Sequence, residues 1–239
     1  MSVIAPQEEH QHIFNSFKGY EQSFEYKGDR LYSMIFERNK ERIKVSKEKF
    51  AVKNLQKIFN ATFLISPKIG FEAMSLRDLS AETGLSMGGL YSSISSKEAI
   101  AVIVKDVVAV ICGEIVELSR KQEDPVEALQ TLVRGYLYSS TLMQPWFNFL
   151  YFETKSLPHL EQVASKQLEL DQAHALADVL RRLNPTALVD LDFVAAMALS
   201  LIQERYVKAW KYPQYTTTID KYADDCLALI YKSIDYKAS

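Results

Sequence analysis

The residues from Ser75 to Tyr91, SLRDLSAETGLSMGGLY, hold the most informative pattern in this chain. Ser80 is followed four positions later by Gly84, then by Leu85, and five positions further on by Leu90. Gly84 supplies the positive φ that a tight corner requires. Ser80 is small where two crossing helices approach, and Leu85 and Leu90 anchor the second helix from beneath. Ser86, Met87, Gly89 and Ser92 are thereby left facing outward. Ser75 is placed to cap the first helix, with Asp78 three residues on. This is the logic of a helix-turn-helix, whose second helix offers short side chains to base edges in a DNA major groove. Any helical corner with a glycine imitates the spacing, so the surrounding elements matter.

The 239 residues are 48% hydrophobic and 24% charged, with 8 Gly and 7 Pro, which excludes collagen-like and low-complexity sequence. The length suffices for one large domain or two smaller ones. A formal charge of −2 points to no partner by itself, but the charge is uneven. From Arg38 to Lys97 there are eleven bases and five acids, whereas residues 1–37 carry three bases and six acids. The remainder is also acidic. A basic block beside an acidic body suggests two jobs in one chain.

Cys112 and Cys226 sit in apolar helical runs, where a small core hydrophobe is the plainer reading than a redox sensor. The run from Met1 to Glu9 lacks the basic and apolar regions of a secretory signal. The greasiest stretch, Ala99 to Cys112, is interrupted by Lys105-Asp106 and is too short to span a bilayer. A soluble, cytoplasmic protein with no membrane partner is expected. His10, His12, His159 and His174 show no metal-ligand spacing beyond a weak His-x-His. There is no glycine-rich phosphate loop, nucleophile elbow or paired-carboxylate signature. The expectation is no enzyme, no cofactor and no metal.

Strand signals are missing: no Asn-Gly or Asp-Gly hairpin and no sustained period-2 run. Helices are expected at about 97–120, 125–143, 146–154, 158–183, 186–211 and 217–235. Their starts are marked by capping boxes at Ser95-Ser96-Lys97-Glu98 and Asp124-Pro125-Val126-Glu127, by Asn184-Pro185, and by Thr217 or Thr218. Breaks are expected at Pro67 to Gly70, Gly84, Gln144-Pro145, Leu157-Pro158 and Tyr212-Pro213. Residues 1–37 are aromatic-rich, net acidic and weakly periodic, and read as a loosely ordered tail partly docked on the body.

The residues beyond the corner sharpen the reading. Leu90-Tyr91-Ser92-Ser93-Ile94-Ser95-Ser96-Lys97-Glu98-Ala99-Ile100 resembles the end of the DNA-binding domain of the TetR family of transcriptional regulators, with an apolar-Tyr pair and a Ser-Lys-Glu turn. Upstream, Phe50-Ala51-Val52, Leu55, Ile58-Phe59 and Phe63-Leu64, then Gly70-Phe71-Glu72-Ala73-Met74-Ser75, are similar to the family's first helix and its connection to the second. The resemblance covers about residues 45–105. It implies that Ser75 and Arg77 lie near phosphate at the start of the second helix. It also implies that Ser86, Met87 and Gly89 enter the major groove, with Ser92 on the same outward face. Tyr91 would give its hydroxyl to a phosphate, and Lys97 would meet another. Lys47, Lys49 and Lys53 add non-specific attraction or form a solvated basic face. Met87 stands where many members carry Lys, and Ser92-Ser93-Ile94 replaces an aromatic-rich ending, so base contacts are expected to be few and apolar.

The resemblance implies an all-α fold. A three-helix helix-turn-helix domain (43–100) follows an N-terminal extension (1–42) and precedes a helical effector-binding and dimerisation domain (101–239). Phe193, Met197 and Ser200 make one face, and Ile219, Tyr222, Cys226 and Ile230 another, suited to a four-helix dimer interface or to intramolecular core. Aromatic residues concentrate around Pro145. An effector pocket is expected from Tyr136, Tyr138, Trp146 and Phe149, with His174 and Gln203 as polar groups; core packing is the plain alternative. The function expected is a one-component regulator, a repressor by family default. It binds near-palindromic double-stranded operator DNA as a homodimer and is released by a small apolar or aromatic effector. The alternatives are a helical scaffold with a helix-turn-helix that reads no bases, and an all-helical enzyme or binding protein.

Overall fold

The computed structural model describes residues 13–45, 47–215 and 217–236, whose regular structure is entirely helical, with no strand among them. Met1 to Glu9 and the His10/His12 pair lie outside the described residues. The helices are α1 (Phe17–Ser23), α2 (Gly28–Arg38), α3 (Glu48–Ile69), α4 (Leu76–Thr83), α5 (Met87–Ser93), α6 (Lys97–Arg120), α7 (Pro125–Leu142), α8 (Gln144–Glu153), α9 (His159–Leu183), α10 (Leu191–Val207) and α11 (Ile219–Ser233). Short 3-10 turns fall at Thr154–Ser156 and Ala209–Tyr215. They form two compact units: one contains residues 24–108 and 148–163, the other residues 13–23, 109–147 and 164–236.

Unit one is built on α3, whose buried face Ala51, Val52, Leu55, Ile58, Phe59 and Thr62 recurs at helical spacing. Helices α2, α4 and α5 pack on it. The aromatic stretch read as a loose tail supplies α2: Leu31, Tyr32, Ile35 and Phe36 are buried, and the Tyr32 and Phe59 rings lie 6.3 Å apart. The reason is periodicity. Those four residues share one face, and burying it offsets the entropy of ordering the helix. Pro67 sits inside the last turn of α3, and the break comes only at Gly70, where φ is +81°.

Unit two is organised around α7, which is buried on every side from Ala128 to Ser140 except at Gln130 and Arg134. Helices α1, α10 and α11 pack against it. Both thiols are buried within this unit. Burial pushes Cys112 up to about 12 and Cys226 up to about 11. Each behaves as a core hydrophobe.

Helix starts follow the sequence signals with two shifts. Asp124 accepts from Val126 N–H with Pro125 first in the helix, and Thr218 caps α11. Ser96, not Ser95, caps α6, accepting from Ala99 N–H at 3.3 Å. Asn184-Pro185 opens no helix. The Asn184 side chain accepts from Thr186 in a local turn and donates to the Ile234 carbonyl, and α10 begins only after Asp190, which accepts from Asp192 and Phe193. Asp190 wins because its carboxylate satisfies two first-turn donors, while Asn184 is engaged elsewhere. No helix among the described residues is long and apolar enough to cross a membrane.

Candidate nucleic-acid interface

The corner between α4 and α5 is closed by local chemistry. Gly84 adopts φ +68°, and its N–H donates to the Ser80 carbonyl at 3.0 Å. The Ser80 hydroxyl donates across the corner to the Leu85 carbonyl at 2.6 Å. Leu79 and Leu90 are fully buried beneath, which fixes α5 on α3 and α4. At the entry to α4, Ser75 and Asp78 form a reciprocal capping box: Asp78 N–H donates to Ser75 Oγ, and Asp78 Oδ2 accepts from Ser75 N–H at 2.8 Å. The Ser75 hydroxyl and then the Ser75 N–H hold the Asp78 carboxyl below its ordinary range.

Helix α5 presents Ser86, Met87 and Tyr91 to solvent, with Met87 37% and Tyr91 47% exposed. Arg77 is exposed on α4, and Lys47, Lys49 and Lys53 are exposed at or just before the start of α3. Gly89 and Ser92 are half-buried. The Ser92 hydroxyl donates to the Gly89 carbonyl at 2.8 Å, and Ser86 caps α5 by accepting from Gly89 N–H. A carbonyl left open at the end of α5 is used too: Lys44 and Val45 N–H both donate to Ser92 O, at 2.8 and 3.1 Å. Asn54 of α3 donates to Ser93 Oγ at 3.0 Å. None of these tethers to α5 from Lys44, Val45 and Asn54 has a signature in local spacing, because each joins segments far apart in the chain.

Lys97 is partly engaged inside the unit. Its ammonium donates to the carbonyls of Phe71 and Glu72, at 3.2 and 2.7 Å, and lies 5.3 Å from the centre of the Phe71 ring. It thus anchors the connection between α3 and α4, and one of its three N–H donors is left for another acceptor. The face as a whole offers basic side chains around a short helix with no charge of its own, which suits phosphate positioning plus apolar contact with bases.

No protein-family model matches the sequence, and no curated protein matches it. Solved structures do. A TetR-family transcriptional regulator, PfmR from Thermus thermophilus, is 23% identical with a TM-score of 0.63 over 74% of this chain and 98% of that one. AibR, solved with isovaleryl coenzyme A and operator DNA, is 16% identical with a TM-score of 0.62 over 77% and 100%. The regulator FadR from Bacillus subtilis, solved with stearoyl-CoA, is 13% identical with a TM-score of 0.57 over 75% and 98%. This chain has the TetR-like fold. In each case nearly all of the other chain is covered, while about a quarter of this one has no counterpart.

Within the TetR-like fold, the residues expected to bind an effector are divided between the two units. Phe149 belongs to unit one, where its ring packs edge-on against Phe71 at 5.0 Å and against Phe63 at 5.9 Å. His174 is exposed on α9, and Gln203 donates to Glu169 at 3.0 Å on the surface. Tyr136, Tyr138 and Trp146 are buried in unit two. The Tyr136 hydroxyl has no hydrogen-bond partner among the described residues, and burial raises its pKa strongly.

The residues expected at a dimer interface divide by face. Phe193 is 64% and Met197 48% exposed, and Ser200 is exposed on the same side of α10. Leu229 of α11 is exposed as well. Ile219 and Tyr222 are not fully buried, and the Tyr222 hydroxyl donates inward to the Leu201 carbonyl at 2.7 Å. Cys226 and Ile230 face inward and are buried within the protomer. Of the stripe on α11 that periodicity isolated, Cys226 and Ile230 lie on its core face. Among the described residues no group of three or more His, Cys, Asp or Glu side chains is placed to hold a metal ion.

Proposed function

We propose that this chain is a cytoplasmic one-component transcriptional regulator, most simply a repressor, that binds near-palindromic operator DNA as a homodimer. The reading is carried by the corner locked by Ser80 and Gly84, which holds α5 with Met87 and Tyr91 outward. In this reading residues 43–100 form the DNA-binding domain, buttressed by α2, and residues 101–239 form the effector-binding and dimerisation domain. Ser75, Arg77, Tyr91 and Lys97 position the phosphates; Ser86, Met87, Gly89 and Ser92 face the bases. The exposed apolar side chains Phe193, Met197 and Leu229 are buried against a second copy, which sets two recognition helices roughly 34 Å apart for successive major grooves.

The effector is an apolar molecule that binds in unit two near Tyr136, Tyr138 and Trp146. Since AibR and FadR were solved with acyl thioesters of coenzyme A, that class is the first to test. Ligand favours a conformation in which the recognition helices are wrongly spaced, and operator is released.

The test is selection of random genomic fragments on the purified protein at about 0.15 M salt. A near-palindromic motif with half-sites about one helical turn apart is expected. Unrelated fragments, or none with or without acyl thioesters, would favour the scaffold reading, to which the uncharged sequence MGGLYSS of α5 lends weight. Sedimentation of the Phe193→Asp variant should give monomer where the unaltered protein gives dimer.

A further inference from the structure

Residues 13–23 do something that the rest of unit two does not require. Phe14 and Tyr20 are buried, with their rings 5.4 Å apart. The Tyr20 hydroxyl shares a 2.6 Å hydrogen bond with Ser139 Oγ on α7. The rings of Phe17 and Tyr20 lie 5.5 and 5.6 Å from that of Tyr138. A polar clamp holds the segment down. Asp220 Oδ1 accepts from Phe17 N–H at 2.7 Å and from the Tyr138 hydroxyl at 2.6 Å. Arg134 pairs with Asp224 at 2.6 Å and donates to the carbonyls of Phe14 and Asn15 at 3.4 and 3.1 Å. The seat exists because residue 135 is glycine: a Cβ there would stand 3.3 Å from the Phe14 ring.

Helix α1 has seven residues, far too few to persist alone in water. Tyr20 is its one buried residue, and the segment is otherwise held by the Phe17 contacts and by the Arg134 bonds to the Phe14 and Asn15 carbonyls. Lifting it uncovers the Tyr138 ring and frees the Ser139 hydroxyl. Both lie on the helix that also carries the buried, unpartnered Tyr136 hydroxyl. A ligand taking that place needs apolar bulk for the Phe14 and Tyr20 rings and one hydrogen-bonding group for Ser139.

We propose that residues 13–23 are an intramolecular strap occupying the effector seat of unit two, displaced when an apolar ligand bearing one hydrogen-bonding group enters. The proposal rests on the reading of unit two as the effector-binding part. Residues 24–27 join α1 directly to α2, so release of the strap reaches unit one along the chain itself.

The test uses the full chain and the apolar fluorophore anilinonaphthalene sulfonate. A Phe14→Ala/Tyr20→Ala variant should bind it about tenfold more tightly, because the fraction of molecules with an open seat rises. A synthetic peptide of residues 13–23 should reverse the gain. In the unaltered protein, saturating fluorophore should speed hydrogen exchange of amides 13–23 while leaving α7 protected; this arm decides the matter if the variant does not fold. Unchanged affinity in a cooperatively melting variant, or unchanged exchange at 13–23, overturns the strap. Operator binding in the same samples separates the two ideas: a strap that lifts without altering operator affinity defeats effector-controlled release alone. Operator release by the fluorophore with the strap still protected defeats the strap alone.

Discussion

Ser80 grips both sides of the corner before α5: its carbonyl accepts from Gly84 N–H at 3.0 Å, and its hydroxyl donates to the Leu85 carbonyl at 2.6 Å. One residue thereby sets the angle at which Met87 and Tyr91 leave unit one. Ser80→Ala removes the second bond and should cost about 1 kcal/mol in urea denaturation, with a parallel loss of operator affinity. Gly84 adds a separate cost. A Cβ at position 84 meets nothing within 4 Å, so Gly84→Ala should cost about 1–2 kcal/mol from backbone conformation alone, and Gly84→Asn clearly less. Equal stability of the Ala and Asn variants would contradict this account.

Tyr91 and Lys97 should part company. Tyr91 is exposed, so Tyr91→Phe should leave stability within about 0.5 kcal/mol and weaken binding to all DNA sequences alike. Lys97 holds the Phe71 and Glu72 carbonyls, so Lys97→Met should lower stability by about 1–2 kcal/mol as well as weakening DNA binding. Thermal melts beside salt-dependent DNA titrations check both. If Lys97→Met weakens DNA binding with stability intact, the carbonyl contacts contribute nothing in solution.

The helices and the corner were legible because their signals are local. Ser75 and Asp78 lie three residues apart, Ser80 and Gly84 four, and the α6 periodicity runs unbroken from Lys97 to Arg120. What was illegible depends on partners distant in sequence. The α2 aromatics look like a tail until α3 supplies the surface that buries them. Lys97 looks like a free phosphate ligand until the Phe71 and Glu72 carbonyls lie within reach. On α11 the pattern located an apolar stripe, yet periodicity cannot say whether a stripe meets its own protomer or another. Cys226 and Ile230 meet their own.

Acid should unfasten the entry to α4. Asp78 is held below its ordinary value chiefly by the Ser75 hydroxyl and N–H. A lowered carboxylate pKa means the stabilisation is complete above the ordinary aspartate range and is lost as pH falls through the lowered value. The difference in urea midpoint between the unaltered protein and Asp78→Asn should therefore be constant from about pH 8 to 6 and shrink below about pH 4. A difference that stays constant down to pH 3 would mean that the Asp78 charge plays no part in the cap.

Gly135 sits in the middle of α7, where glycine is intrinsically unfavourable by about 1 kcal/mol relative to alanine. Helix propensity alone therefore predicts that Gly135→Ala stabilises the protein. Packing predicts the opposite, because the new Cβ would lie 2.8 Å from Ile115 Cγ2 and 3.3 Å from the Phe14 ring. Ile is branched at Cβ and has little rotamer freedom in a helix, so α6 and α7 must separate, and the Phe14 ring must give by a few tenths of an ångström as well. Overpacking of this kind costs about 1–3 kcal/mol, enough to reverse the sign. Gly135→Ala should thus destabilise the unaltered protein, yet stabilise an Ile115→Ala background in which the crowded methyl is gone. A double-mutant cycle in urea measures the coupling. Additive effects would mean that α6, α7 and Phe14 are not packed as closely as these distances require.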